Sequence, residues 1–376
     1  MRTMRRVIRY LLVAIPLTSL YMMCFLHESG TLTPRDIVSE GQPIGDDKTS
    51  KPMLDVSSEF PVRMVAQNIR RKSLSLGPKG LASLASSVPL NQLLDLKNFT
   101  FLMNSSHACD REPYFLAFVH SAPGNFHKRQ VIRRTWASPN IVRRLNIRVV
   151  FIIGLSNDSA IEKQLRLEEE SHHDIVQGNF VDSYRNLTYK HLVGYRWTMM
   201  FCNTTRFVMK ADDDAFVDVF KIISSLRSMF DVRGDRRPAS VLACSLFPDG
   251  TAVKRSGKWA LSVGEYADER YPAYCSGIGY FTTPDVVFKL FAAAHDPAVR
   301  PIWIDDLFVT GILPSRIRQA HQELNINFTY DHRKLRKWLQ EEDGKTNPYL
   351  VGDIGEASDW KVLMEQLWEK TLRVSR

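Results

Sequence analysis

Arg206-Phe207-Val208-Met209-Lys210-Ala211-Asp212-Asp213-Asp214-Ala215-Phe216 is the stretch on which the reading of this chain turns. An apolar run suited to a strand leads directly into three consecutive aspartates. Three carboxylates at one strand end repel one another unless a cation lies among them, and hard oxygen ligands suit magnesium or manganese. A solvated acidic turn is the plainer alternative. The strand that feeds the aspartates weighs against it.

Upstream of this stretch, apolar runs alternate with helical periodicity. Residues 114–122, 147–155 and 174–181 read as strands, and 206–210 as the strand before the aspartates. Helices are expected over 128–137, 159–172 and 186–201. Such alternation predicts an α/β domain over residues 112–376, built on a mainly parallel, doubly wound sheet. Ligands then bind beyond the carboxyl ends of the strands. No internal repeat, dinucleotide-type glycine motif or phosphate-binding loop interrupts the pattern.

Downstream, Ile304-Asp305-Asp306-Leu307-Phe308 sets two carboxylates between apolar residues. A partly buried carboxylate has a raised pKa and can take a proton from an attacking hydroxyl. The alternative is a helix start that Asp305 merely caps. Gly277 and Gly279 would let backbone approach a ligand closely, or serve an ordinary strand bend.

The 376 residues are 44% hydrophobic and 24% charged, with a net charge of +9. The basic residues are dispersed, with no aromatic interleaving and no zinc spacing, so nucleic acid is not the expected partner. Residues 10–26 carry no charge and follow Arg2, Arg5, Arg6 and Arg9. As a helix they would span roughly 25 Å, at the short end for a membrane. The preceding arginines favour a cytoplasmic tail over 1–9, a signal-anchor helix over 10–26 and a lumenal remainder. No small-residue cleavage site follows Leu26. Residues 27–111 are rich in Ser, Pro and Lys and read as a stem.

Asn-x-Ser/Thr triplets at Asn98, Asn104, Asn157, Asn186, Asn203 and Asn327 agree with a lumenal chain. Asn98 and Asn104, nearest the stem, are the expected glycan carriers. Of five cysteines, Cys24 lies in the apolar run. Cys109, Cys202, Cys244 and Cys275 remain, an even number that favours two disulfides in an oxidising compartment. Three pairings are open. The favoured one joins Cys109 to Cys202 and Cys244 to Cys275.

Five motifs, in order, resemble the β-1,3-galactosyltransferase family, glycosyltransferase family 31, which also holds β-1,3-N-acetylglucosaminyltransferases. They are Arg129-Gln130-Val131-Ile132-Arg133-Arg134-Thr135-Trp136, then Asp182-Ser183-Tyr184-Arg185-Asn186-Leu187-Thr188-Tyr189-Lys190, then the aspartate stretch. Tyr271-Pro272-Ala273-Tyr274-Cys275-Ser276-Gly277-Ile278-Gly279-Tyr280 and the Asp305-Asp306 segment follow. The resemblance implies a GT-A type, Rossmann-like fold with flanking helices, a UDP-sugar donor and manganese or another divalent cation. It also implies inversion at the anomeric carbon, an oligosaccharide acceptor on glycoprotein or glycolipid, and a Golgi membrane location as a single-pass type II protein.

Carried over by position, Asp212 and Asp214 are the metal pair and Asp213 a ribose contact. Asp306 matches the family's catalytic base. Arg129, Arg133, Asp182, Asn186 and Lys190 match the nucleotide side, and Trp259, Glu265 and Tyr266 the acceptor side. The chain departs from the family at Asp305, where Glu is usual, and at Leu307, where Val is usual. Ile278 stands where a smaller residue is common. His321 and His332 are candidates for a family histidine near the last helix, whose place Asp353 could hold instead. Galactose from UDP-galactose is the favoured donor chemistry. N-acetylglucosamine or N-acetylgalactosamine transfer, and a non-catalytic lumenal module on the same fold, are the alternatives.

Overall fold

Unbroken apolar runs become strands buried on both faces, and runs with apolar residues every three or four positions become the helices that cover them. A computed structural model describes residues 100–230, 238–342, 347–355 and 358–375. Its first half runs β1 (Phe101–Met103), β2 (Phe115–His120), α1 (Phe126–Arg134), α2 (Pro139–Leu145), β3 (Ile147–Leu155), α3 (Ser159–His172), β4 (Ile175–Val181), α4 (Leu187–Phe201) and β5 (Phe207–Asp212). There follow β6 (Ala215–Val217), α5 (Val219–Phe230), β7 (Leu242–Phe247), β8 (Thr251–Ala252), β9 (Arg270–Tyr271), β10 (Tyr274–Thr282) and α6 (Pro284–Ala294). The last part holds α7 (Asp305–Leu307), a π-helical turn over Phe308–Ile312, α8 (Leu313–Ile317), β11 (Gln322–Glu323), β12 (Phe328–Thr329), α9 (His332–Gln340), β13 (Val351–Asp353) and α10 (Trp360–Val374).

The large sheet has the order β1-β4-β3-β2-β5-β10-β7-β11. Strands β4, β3, β2 and β5 are parallel neighbours, as the alternating pattern predicts. The sheet is mainly parallel, as expected, but mixed: β11 also runs parallel to β7, and only β1 and β10 are reversed. β1 runs antiparallel to β4, and β10 runs antiparallel to both β5 and β7. The chain passes from β7 to β10 with no helix between them, through the β8–β9 ribbon. Antiparallel neighbours need no crossover helix, so no helical periodicity marks this half.

β1 and Cys109 belong to the folded domain, which therefore starts by residue 101 rather than at 112. The anchor expected over 10–26, and the stem as far as residue 99, lie outside the described residues. Among the described residues, no helix is long and apolar enough to cross a membrane.

Helix α4 is buried on nearly every side, from Thr188 through Tyr195. It can lie this close to the sheet because of Gly194: a Cβ there would stand 2.8 Å from the Phe118 ring. At the far end of β5 the chain leaves the large sheet and enters a small one, ordered β12-β13-β6. Asp213 and Asp214 are the two residues between the sheets.

Candidate active site

The turn from β5 to β6 gives each of its three aspartates a different environment. Asp213 is buried; its Oδ2 accepts hydrogen bonds from Ser121 Oγ and Asn125 Nδ2, both at 2.8 Å. Lys128 Nζ bridges Asp213 Oδ1 and Asp214 Oδ2, each at 3.1 Å. Burial works against the charge on Lys128, but Asp213 and Asp214 outweigh it and its pKa rises. Asp212 Oδ1 accepts from Lys210 Nζ at 2.7 Å, and the same ammonium donates to the Gly277 carbonyl. Burial pushes Asp212 up to about 6 despite Lys210, and Asp214 adds to the rise.

A fourth carboxylate comes from the small sheet. β13 pairs with β6 so that Asp353 stands opposite Ala215, beside Asp214. Burial raises the Asp353 pKa, and the nearby charge of Asp214 raises it further. Asp212, Asp214 and Asp353 line one cleft and offer the hard oxygen donors that suit a divalent cation, and the Lys128 ammonium lies between Asp213 and Asp214. His321 is engaged elsewhere, with Nε2 at 2.7 Å from the Thr310 carbonyl. His332 Nδ1 lies beside Gly355, just beyond β13.

Asp305 and Asp306 open the helical run of α7. The π-helical turn that follows is held by Thr310, whose Oγ1 donates to the Asp306 carbonyl at 2.5 Å and accepts from Cys275 N at 2.9 Å. Asp305 turns inward. His191 Nδ1 is 2.9 Å from Asp305 Oδ2, and His191 Nε2 is 2.6 Å from Tyr280 Oη, which is 2.6 Å from Tyr195 Oη. Burial opposes ionisation of Asp305, yet Lys210 and the bond from His191 hold its pKa below the ordinary value.

Asp306 faces the cleft. Its Oδ1 accepts from Leu307 N at 2.8 Å, and a Cβ on residue 277 would lie 3.1 Å from its Oδ2. Glycine at 277 thus leaves room for this carboxylate. Burial, then the charge of Asp305, push Asp306 up to about 7. A carboxylate that exchanges its proton near neutrality beside open space can serve as a general base.

His120, His191 and Asp305 form a second set of metal-type donors, with ligand atoms within 4.8 Å of one another. Both nitrogens of His191 are already engaged, and Lys210 lies close enough to depress the His120 and His191 pKa values, to which burial contributes most. A cation there would have to displace the two His191 bonds, and one at the turn would have to displace Lys128 and Lys210. The turn differs in offering oxygen donors alone, the set that suits a hard cation.

All of this surrounds a cleft of about 750 Å³. Asp182 and Lys190 line it, joined at 2.8 Å; Asp182 Oδ2 also accepts from Gly154 N, and Lys190 donates to the Ser121 carbonyl. Asn186 stays behind the wall and donates to the Val181 carbonyl at 2.8 Å. Arg129 and Arg133, expected on the nucleotide side, do not line the cleft. Arg129 is wholly buried and pairs with Glu168, while Arg133 spans Glu168 and Asp174. They lock α1 to α3 and β4. Their side chains reach inward because the helix packs its motif face on the sheet, a choice that spacing alone does not reveal.

Trp259 lines the cleft, but Glu265 and Tyr266 do not. Glu265 pairs with Arg185, and Tyr266 donates to the Arg270 carbonyl. The residues that sequence reasoning missed are Lys128, His120, His191, Lys254, Lys258 and Tyr330. Three buried polar atoms on cleft residues, His120 Nε2, Ser183 Oγ and Trp303 Nε1, have no hydrogen-bond partner.

Disulfides join Cys109 to Cys202 and Cys244 to Cys275. Asn98 lies outside the described residues. Asn104 is half-buried, and its Oδ1 accepts from Trp197 Nε1 at 2.9 Å.

The family model described as Galactosyltransferase matches residues 127–325, more than half of the chain. β-1,3-Galactosyltransferase 2 of Mus musculus is 28% identical over 274 residues, covering 69% of this chain and 63% of the relative. β-1,3-Galactosyltransferase 1 of Mus musculus is 29% identical over 214 residues, covering 56% of this chain and 64% of the relative. The chain thus spans a little under two thirds of the length of these relatives. Among solved structures, a galactosyltransferase LgtC in complex with donor and acceptor sugar analogs covers 68% of this chain and 95% of its own, at 11% identity and a TM-score of 0.34. A glycosyltransferase involved in the glycosylation of the major capsid of PBCV-1 covers 67% of this chain and 99% of its own, at 8% identity and a TM-score of 0.36. These structural likenesses are too slight to carry an argument.

Proposed function

We propose, for a chain that belongs to the galactosyltransferase family, that it transfers galactose from UDP-galactose to the 3-hydroxyl of an acceptor glycan, with inversion and with a divalent cation, manganese first. The observation that carries this reading is one cleft that holds an aspartate turn fit for a cation and a separate carboxylate, Asp306, poised near neutrality. The three unpartnered polar atoms in its lining add to it, because buried polar groups are seldom left unpaired unless a ligand or water completes them. The mixed sheet, with its carboxylate turn at the end of the parallel strands, supports a GT-A type fold.

A cation held by Asp212, Asp214 and Asp353 would neutralise charge on the diphosphate of the donor. Lys128, which bridges Asp213 and Asp214 and lines the cleft, would offer positive charge to the departing phosphate. Asp213 Oδ2 is held by Ser121 and Asn125 and Oδ1 by Lys128, which fixes the turn; a ribose contact would use the acceptor capacity left on Oδ1. Asp306 takes the proton of the acceptor hydroxyl, whose oxygen forms the new bond to the anomeric carbon. The bond from that carbon to UDP breaks on the opposite face, so an α donor gives a β product. A non-catalytic module would have no use for an Asp306 poised to exchange a proton beside an intact aspartate turn.

Localisation in the Golgi membrane as a type II protein is part of the same proposal. Its support is the uncharged run over 10–26 and two disulfides, which need an oxidising compartment. The test is sugar transfer from UDP-galactose, UDP-N-acetylglucosamine and UDP-N-acetylgalactosamine, with and without manganese. UDP-galactose should lead, and chelation should abolish transfer. Preference for an N-acetylated donor would replace galactose in the reading, and transfer that survives chelation would remove the metal.

A further inference from the structure

One wall of the cleft is built from two aromatic rings and two ammonium groups: Lys254, Lys258 and Trp259 come from the segment after β8, and Tyr184 from the turn before α4. Tyr184 and Trp259 are each 45% exposed, unusual for rings of this size, and both line the cleft. Trp259 Nε1 donates to Tyr184 Oη at 2.7 Å, so the rings are fixed to each other from distant parts of the chain. Lys254 Nζ lies 4.5 Å from the centre of the Trp259 ring. Lys258 Nζ lies 5.4 Å from the centres of both rings.

The segment is held in shape. Arg255 donates to the carbonyls of Leu261, Tyr266 and Asp268 at 3.0, 2.8 and 2.7 Å. Gly257, at φ 82°, makes the turn between the two lysines, a conformation that glycine adopts without strain.

These lysines differ from the others in the cleft. Lys128, Lys190 and Lys210 each pair with an aspartate. Among the described residues, Lys254 and Lys258 pair with no carboxylate and lie against aromatic faces. A ring face attracts an ammonium but satisfies none of its N–H donors, so those remain for a ligand. Exposed aromatic faces suit the C–H face of a sugar ring, and free ammonium groups suit an anion.

We propose that Tyr184, Trp259, Lys254 and Lys258 form an acceptor subsite for an acidic sugar, one that carries a phosphate, sulfate or carboxylate on the ring that stacks here. This rests on the transferase reading, since it places the acceptor on this wall. It adds the charge of that acceptor. The competing source of an anion is the donor diphosphate.

The probes are methyl β-galactoside, its 6-phosphate, its 6-sulfate and methyl β-glucuronide. Binding to the full chain is measured by calorimetry in the presence of UDP and manganese, with UDP affinity measured in parallel. The wild type should bind at least one acidic probe about tenfold more tightly than the neutral galactoside, and the arms identify which anion is favoured. In the K254Q/K258Q variant that preference should collapse toward parity. Equal affinity for all four probes in the wild type, or no binding of any, overturns the proposal. So does a variant in which UDP affinity falls and the acidic preference persists, because the lysines would then serve the diphosphate. Binding is read without turnover, so a chain that failed to transfer galactose would still give an answer.

Discussion

His191 Nδ1 stands 2.9 Å from Asp305 Oδ2, with His191 buried beneath the cleft that Asp305 helps to line. Burial chiefly, with Lys210, lowers the His191 pKa, so the ring is neutral. A neutral imidazole has one donor and one acceptor, and an ionised Asp305 requires the donor at Nδ1. Nε2 must then accept from Tyr280, and Tyr280 from Tyr195. The chain of bonds has one direction and ends on Asp305, whose charge raises the pKa of Asp306.

Substitution His191→Ala removes the donor, so Asp305 should take a proton more readily. Its repulsion of Asp306 weakens, and the Asp306 pKa falls. The rising limb of kcat/KM against pH should therefore move to lower pH. Stability should drop by about 1–3 kcal/mol, because buried Asp305 and Tyr280 lose a partner. pH-rate profiles and denaturant melts read the two effects. A limb that stays in place while stability drops would make His191 a packing residue only.

Asp306→Asn should lower turnover by about two to four orders of magnitude, the usual range for a lost general base. It should also change stability in a pH-dependent way. Asp306 keeps its proton in the folded state up to about 7, whereas an unfolded aspartate releases it near the ordinary value of 3.8. Between these values the folded state binds more protons, so stability falls as pH rises through that window. The amide does not titrate. Its melting temperature should exceed that of the wild type at pH 8, by roughly 2–4 °C per kcal/mol gained, with the gap closing toward pH 4. Identical melts at both pH values would mean that Asp306 is ionised at no cost.

The parallel half of the sheet was legible because β2, β3 and β5 are unbroken apolar runs with recognisable helices between them. Helix α3 was readable to its ends, and the structure adds Asp158 as its N-cap. The small sheet was not, because β12 and β13 have two and three residues and carry no period. Asp353 was accordingly visible only through the resemblance, as a residue that could hold the place of the family histidine; strand pairing is what brings it beside Asp214. The Asp212–Asp214 and Asp305–Asp306 clusters were visible as sequence, yet their different partners were not. Nothing local shows that Asp213 is tied to Ser121, 92 residues away, or Asp305 to His191, 114 away. Arg129 and Arg133 misled because a motif held by internal ion pairs looks, in sequence, like one that holds a ligand.

Asp353 offers a clean test of the small sheet's part in the site. Asp214→Asn should weaken manganese-dependent binding of UDP, because a charged oxygen ligand is lost. Asp353→Asn should weaken it by about tenfold or more, if the cation draws on both sheets. Calorimetry with UDP and manganese measures both, and a thermal melt first confirms folding. Affinity in Asp353→Asn equal to that of the wild type would leave the cation to Asp212 and Asp214 alone.

The two disulfides should separate stability from turnover. Cys109–Cys202 closes a separation of 93 residues and ties the segment after β1 to the end of α4; neither cysteine lines the cleft. Cys244–Cys275 closes 31 residues and joins β7 to β10 just before Ser276 and Gly277. Between Cys275 and Tyr280 the register of β10 on β7 shifts, so ladder pairing holds this part of the strand less regularly. Here the Gly277 carbonyl receives Lys210, and Gly277 makes room for Asp306. Removing either bridge should cost about 2–5 kcal/mol of stability. C244A/C275A should in addition lower kcat by about tenfold well below its melting temperature, since a 1 Å displacement near reacting groups has costs of this order or larger. C109A/C202A should keep its kcat at the same margin below its own melt. Equal kcat in both variants would mean that pairing with β5 alone holds the Gly277 segment in place, because β10 also keeps Gly279 opposite Ala211.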